Sequence, residues 1–131
     1  MKLKPAHFIP AVIWFIVATI LFLMPGEDVP SVGFLDKIYF DKWVHAGLFG
    51  GLVFLIAYPF IKANISTKKL LIKIGILCVL YGIIIEFLQK YVAINRDFDM
   101  KDVLADATGC LLGAIAANWL MKKLSLKNKP L

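Results

Sequence analysis

Residues 82–113 read GIIIEFLQKYVAINRDFDMKDVLADATGCLLG: an apolar run that closes on an acid and an amide, a polar connection, and a second apolar run that opens on acids. Glu86 and Gln89 stand three apart and so share one face of a helix. Stepping back along that face by three and four residues gives Gly82, Val79 and Gly75. In the second run Asp99, Asp102, Asp106, Gly109 and Gly113 follow one another at spacings of 3, 4, 3 and 4, again a single helical face. A membrane strand would instead alternate polar and apolar residues over about ten positions, and no such segment is found. Both runs therefore read as helices, each with carboxyl groups at one end of a stripe and glycine at the other.

The rest of the chain explains why such helices exist. Of its 131 residues 60% are hydrophobic and 18% charged, and the mean hydropathy is +0.79. An ordinary soluble domain is far more polar than this. Four apolar runs, at about 6–24, 43–61, 70–88 and 103–121, each have the roughly 19 residues a helix needs to cross a hydrocarbon core of about 30 Å. Lipid offers backbone groups no hydrogen bonds, so the runs must be helical. The expectation is all-α: a membrane-embedded four-helix bundle forming one domain over 1–131. Lys2 and Lys4 before the first run would also suit a signal peptide. Its long apolar part and the absence of a small-x-small site before "PGEDVP" predict an uncleaved helix instead.

Charge placement predicts the orientation. Lys2, Lys4, Lys62, Lys68, Lys69, Lys73, Lys122, Lys123, Lys127 and Lys129 make ten of the fifteen basic residues, and all fall on one side if four helices alternate. That side is expected to be the cytoplasm, with both termini there. All nine acids fall in or beside the two opposite connections. Acids contribute little to topology, so their segregation points to a task for the outer face. No basic cluster laced with aromatics occurs in a soluble segment, which argues against nucleic acid as a partner. Cys78 and Cys110 lie inside apolar runs and offer neither a disulfide framework nor a metal-ligand spacing such as CxxC. No metal or cofactor is assigned.

The candidate site gathers at the start of the second run, "DKWVHAGLFGG", and around the quoted stretch. His45 follows Asp41 by four and Lys42 by three, so the three share a side of their helix. Asp106 lies about 6 Å deeper than Asp102 and Glu86 one turn deeper than Gln89. An unpaired ionisable group inside a membrane helix costs about 2.5–3.5 kcal/mol, so Glu86 and Asp106 need partners, and Lys42, His45, Arg96 and Lys101 are at hand. Gly47 with Gly51 and Gly109 with Gly113 form GxxxG pairs that let helix backbones approach, and Gly82 extends the small-residue face. Trp43, Trp119, Tyr39, Tyr58 and Tyr91 suit interface belts, while Trp14 is expected to face lipid.

These residues resemble the VanZ-like family of small bacterial membrane proteins. "MPGEDVP", then "DKWVHAGLFGGL", then the quoted stretch reproduce the family's Pro-Gly after the first helix, Asp-Lys-x-x-His at the start of the second, Glu-x-x-Gln leaving the third and Arg…Asp at the fourth. The matching positions are Pro25, Gly26, Asp41, Lys42, His45, Glu86, Gln89, Arg96, Asp102, Gly109 and Gly113, and the resemblance covers nearly the whole chain. Asp106 departs from it, because the family commonly carries Asn there. The family is named for a protein associated with low-level teicoplanin resistance, which implies an outward-facing role in the cell envelope.

The functional expectation is a polar site between the second, third and fourth helices that binds, or binds and modifies, an amphipathic or lipid-linked envelope ligand. Lys42 and Arg96 would hold anionic oxygens, while Asp41, Glu86, Gln89, Asp99, Asp102 and Asp106 would meet hydroxyls or amines. An enzymatic version makes His45 or Glu86 the general acid or base. No GxSxG, HExxH or glycine-rich phosphate loop names a reaction, so enzyme or binder stays open. A set of His45, Glu86 and Asp106 would suit a hard or borderline metal ion and equally a proton-sharing network. The competing class is a membrane adaptor or assembly factor whose ion network only fixes helix packing. A homo-oligomer is compatible with either.

Overall fold

A computed structural model describes residues 2–28 and 32–127. Expectations that fall on Lys129 or on the chain end at 131 lie outside them. A 3-10 turn, Pro5–Phe8, leads into α1, Ile9–Phe22; α2 is the short Gly33–Lys37; α3 spans Phe40–Lys62, α4 Lys68–Tyr91 and α5 Met100–Lys127. Four of these segments, Pro5–Phe22, Phe40–Lys62, Lys68–Tyr91 and Met100–Ser125, are long and apolar enough to cross a membrane. The described residues contain no strand. The protein is thus an all-α, multi-pass membrane bundle.

Helix limits follow local chemistry. Pro10 sits in the first turn of α1, where its missing N–H removes nothing. Thr67 caps α4 by accepting from the Leu70 N–H at 3.1 Å. Asn64 and Asn95 end α3 and the turn after α4 in left-handed conformations, φ 58° and 55°, which asparagine tolerates. Tyr39, at φ 52°, makes the sharper turn from α2 into α3. α3 begins at Phe40 rather than 43 and α5 at Met100 rather than 103, because the charged residues at those starts are satisfied by one another and extend the helices by nearly a turn.

Packing is inverted relative to a soluble protein. Ile72, Leu77, Ile84, Leu104, Leu111 and Ile115 are more than half exposed, while Glu86, Gln89 and Asp106 are buried to 1% exposure or less. Lipid accounts for the first set and internal pairing for the second. α3 and α5 run in the same direction and form the central seam. There the Gly109 backbone lies against Ala46 and that of Gly113 against Gly50; a Cβ on Gly50 would meet the Gly109 carbonyl oxygen at 3.0 Å. No side chain larger than hydrogen fits these positions. Phe49, Leu52, Val53, Ala57, Ile85, Cys110 and Ala117 fill the core around the seam.

Two expectations change here. Gly47 does not pack: a Cβ built on it meets nothing within 4 Å, and the partner of Gly109 and Gly113 is Gly50. The reason is register, since a helix face passes Ala46, Gly50 and their neighbours while Gly47 is turned away. Trp14 is not lipid-facing either. Its Nε1 donates to the Leu48 carbonyl at 2.8 Å, and its ring lies where a Cβ on Gly51 would come within 2.7 Å. Gly51 therefore seats α1, not a second copy of the seam.

Candidate functional site

Close approach at Gly109 sets what happens one turn further out. Ala46 is in contact with Gly109, so His45 on α3 arrives beside Asp106 on α5, and Nδ1 to Oδ1 is 2.8 Å. An ionised Asp106 can only accept, so opposite it Nδ1 is the donor, and in the neutral imidazole the lone pair is on Nε2. That lone pair faces Asp102, whose Oδ2 stands 3.8 Å from Nε2. His45 is 4% exposed and Asp102 7%. The Phe22 ring covers the imidazole with centroids 4.6 Å apart, and Phe49 and Tyr81 continue the aromatic layer below it.

α4 supplies the third wall. Glu86 is fully buried; its Oε2 accepts from the Asp99 N–H at 3.0 Å, and its Oε1 has no hydrogen-bond partner. Asp106 Oδ2 is likewise unpartnered. It fits because the facing residue is Gly82, where a Cβ would come within 2.8 Å of that oxygen. Gly82 is in this sense a socket for a carboxylate rather than a helix-packing residue alone.

Lys42 closes the outer end. Its Nζ lies 2.7 Å from Asp41, 2.7 Å from Asp99 and 2.5 Å from Asp102. Asp99 also caps α5, accepting from the Lys101 N–H at 2.8 Å. The Lys42 ammonium, with smaller help from that capping bond, holds the Asp99 carboxyl below its ordinary 3.8. Around one ammonium and one imidazole the fold has thus collected Asp41, Glu86, Asp99, Asp102 and Asp106. Such an excess of carboxylate in a mostly buried cluster is costly unless a further cation or protons join it. His45, Glu86 and Asp102 can each point a ligand atom into a region where these atoms lie within 4.8 Å of one another. The second carboxylate of that set is Asp102, not Asp106, which stands behind the imidazole.

Beside the cluster lies a cavity of about 510 Å³. Leu21, Phe22, Phe40, Val44 and Leu48 make its apolar wall; His45, Arg96, Asn95, Asp36 and Asp41 make its polar one. Arg96 is held there by backbone geometry. The Gly26 N–H donates to the Ile94 carbonyl at 3.0 Å, and a Cβ on Gly26 would collide with the Asn95 carbonyl and approach Arg96 Cδ at 3.5 Å. The Pro25-Gly26 pair is thus a seat for the turn that carries Arg96. Among the described residues the Arg96 guanidinium makes no ion pair.

The structure therefore brings together His45, Glu86, Asp99, Asp102, Asp106, Lys42 and Asp41, with Arg96 on the adjoining cavity. Gln89 belongs to neither. It is 1% exposed and donates its amide to the Phe22 carbonyl at 2.8 Å, satisfying the end of α1. Lys42 is occupied by three carboxylates, whereas Arg96 makes no ion pair among the described residues. Gly50, Asn95 and Phe22 were not read from sequence as parts of the site. Gly50 carried a signal, since Ala46 and Gly50 form a small-xxx-small pair overlapping the more obvious Gly47 and Gly51. The packing of Phe22 on His45 is tertiary and left none.

Four membrane-capable helices around a buried histidine and carboxylate cluster define a class of small multi-pass membrane protein. The VanZ/LLP1 family model matches residues 1–121. The chain belongs to this family. No curated protein and no solved structure matches it.

Proposed function

We propose that the polar end of the bundle binds an amphipathic, lipid-linked ligand of the cell envelope through an anionic head group, at the outer leaflet of the bacterial cytoplasmic membrane. The observation that carries this reading is the cavity, whose lining combines apolar side chains with Arg96; Asp36 and Asp41 line it too, but among the described residues Arg96 makes no ion pair with either. An unpaired guanidinium beside an apolar surface matches a phosphate or carboxylate joined to a hydrocarbon tail, and its planar fork contacts two oxygens at once. Asn95 adds an amide at the same wall, although it also donates to Glu27 at 2.5 Å. The orientation is supported by the lysines at the opposite end of the bundle, since basic residues favour the cytoplasmic side.

His45 opens onto the same cavity, so modification of the bound head by His45 or Glu86 as acid or base remains a version of this reading. The adaptor alternative has less support. Its candidate docking faces, Gly109 and Gly113, are used within the chain against Ala46 and Gly50. Exposed apolar surface is covered by lipid, so a homo-oligomer is not required to hide it. Glycopeptide tolerance would follow where the ligand is a wall precursor.

The test is capture of a fluorescent long-chain isoprenyl phosphate by purified protein in nanodiscs. Arg96→Ala is expected to weaken binding about 10- to 100-fold, the scale of a lost charge-assisted contact, with unfolding temperature unchanged. Equal binding by Arg96→Ala would refute the assignment. Teicoplanin susceptibility of cells carrying each form reads the resistance role separately.

A further inference from the structure

We propose that His45, Glu86 and Asp102 bind a divalent transition-metal ion, with Asp106 as the group that orients the imidazole toward it. The three ligand atoms come from three different helices, α3, α4 and α5, and lie within 4.8 Å of one another. Nitrogen and oxygen ligands bound about 2.0–2.2 Å from one ion stand roughly 3–4 Å apart, so small side-chain rotations close the set.

Independent of that spacing, Glu86 points to a missing partner. It is fully buried, and among the described residues nothing hydrogen-bonds to its Oε1. Buried carboxylate oxygens are almost never left so, and an ion is one of the few things that satisfies them without a donor. The imidazole is also set as a ligand. Its Nδ1 is engaged by Asp106 at 2.8 Å, which leaves Nε2, the nitrogen facing Asp102, as the ligand atom of a neutral imidazole. A carboxylate behind a coordinating histidine is the usual second layer of a metal centre. Asp102 can serve both sides, with Oδ1 on Lys42 and Oδ2 free for the ion.

Charge agrees. Lys42 already neutralises part of Asp41, Asp99 and Asp102, while buried Glu86 and Asp106 have no ammonium of their own, and two positive charges placed beside them reduce the surplus without adding a side chain. One imidazole with two carboxylates suits zinc, manganese or iron(II) better than calcium or magnesium, which favour oxygen alone. The inference does not depend on the lipid-linked ligand, since neither Arg96 nor the isoprenyl phosphate enters it.

Purified protein stripped with chelator and reloaded with Mn²⁺ or Zn²⁺ tests it. The expectation is one ion per chain by elemental analysis, a raised unfolding temperature, and, for Mn²⁺, an electron spin-echo signal from a single coordinating imidazole nitrogen. Glu86→Gln and Asp102→Asn are expected to weaken binding at least 100-fold, and Asp106→Asn about 10- to 100-fold, the usual cost of losing an outer partner. Wild-type protein that binds no ion, or an ion without the nitrogen signal, would overturn the proposal whatever the variants do. So would binding by folded Glu86→Gln equal to wild type.

Discussion

The two halves of the α3 and α5 seam hold the same helices together by opposite means. Toward the lysine end, Gly50, Gly109 and Gly113 bring backbone against backbone with nothing between. Toward the acid end, His45, Lys42, Asp102 and Asp106 join the helices through side chains. Dispersion at the first is short-ranged and fails with any added atom. The ionic contacts at the second tolerate displacement but demand partners. The first thus sets a distance that the second exploits, because Asp106 reaches His45 only when Gly109 admits Ala46.

The largest test of that dependence is at the glycines. Gly109→Leu should prevent the bundle from assembling, a loss well above about 4 kcal/mol, since the side chain would occupy the Ala46 backbone. Loss of a monodisperse, heat-cooperative species in detergent checks it; a folded Gly109→Leu with normal stability would break the comparison. His45→Ala strips Asp106 of its one hydrogen-bond partner and should cost about 3 kcal/mol in thermal or denaturant unfolding while leaving the seam assembled. Gln89→Ala frees the Phe22 carbonyl and should cost about 1–2 kcal/mol, with α1 becoming the first segment to exchange amide hydrogens. Gly47→Ala should raise stability by about 0.5–1 kcal/mol, because the residue is helical, has open space around it and contributes only chain entropy.

The smallest effect is a pH dependence. The Asp99 carboxyl is held below 3.8 by Lys42, so its contribution is fully present above that value and fades as pH falls through the lower folded value. Asp99 is substantially exposed, so the contribution is slight. Subtracting the Asp99→Asn unfolding profile from the wild-type profile isolates it, and the two should converge at the acid end.

The helices were readable because lipid allows little else: four apolar runs and acids spaced by three and four left a bundle with a polar end. The membership of His45, Glu86, Asp102 and Asp106 in one group was also readable, because depth along a helix follows from counting. What could not be counted was rotation. Gly47 and Gly50 are one helical turn apart in sequence but differ in which neighbour they face, and only the packed partner decides. Gln89 shares a face with Glu86 and still serves another purpose, because the end of α1 reached it first. Arg96 sits outside any helix, where spacing gives no direction at all.

That α1 ends at Phe22, with Gln89 receiving its last carbonyl, has a consequence for shape. Its 14 α-helical residues reach about 21 Å and the four of the preceding 3-10 turn add about 8 Å, so the segment Pro5–Phe22 only just matches an apolar thickness of about 30 Å. The cavity bordered by Leu21, Phe22 and Gly26 lies at the end of this segment. A rod with no turn to spare thus ends level with the imidazole, and its final residues double as the rim of the berth beside it.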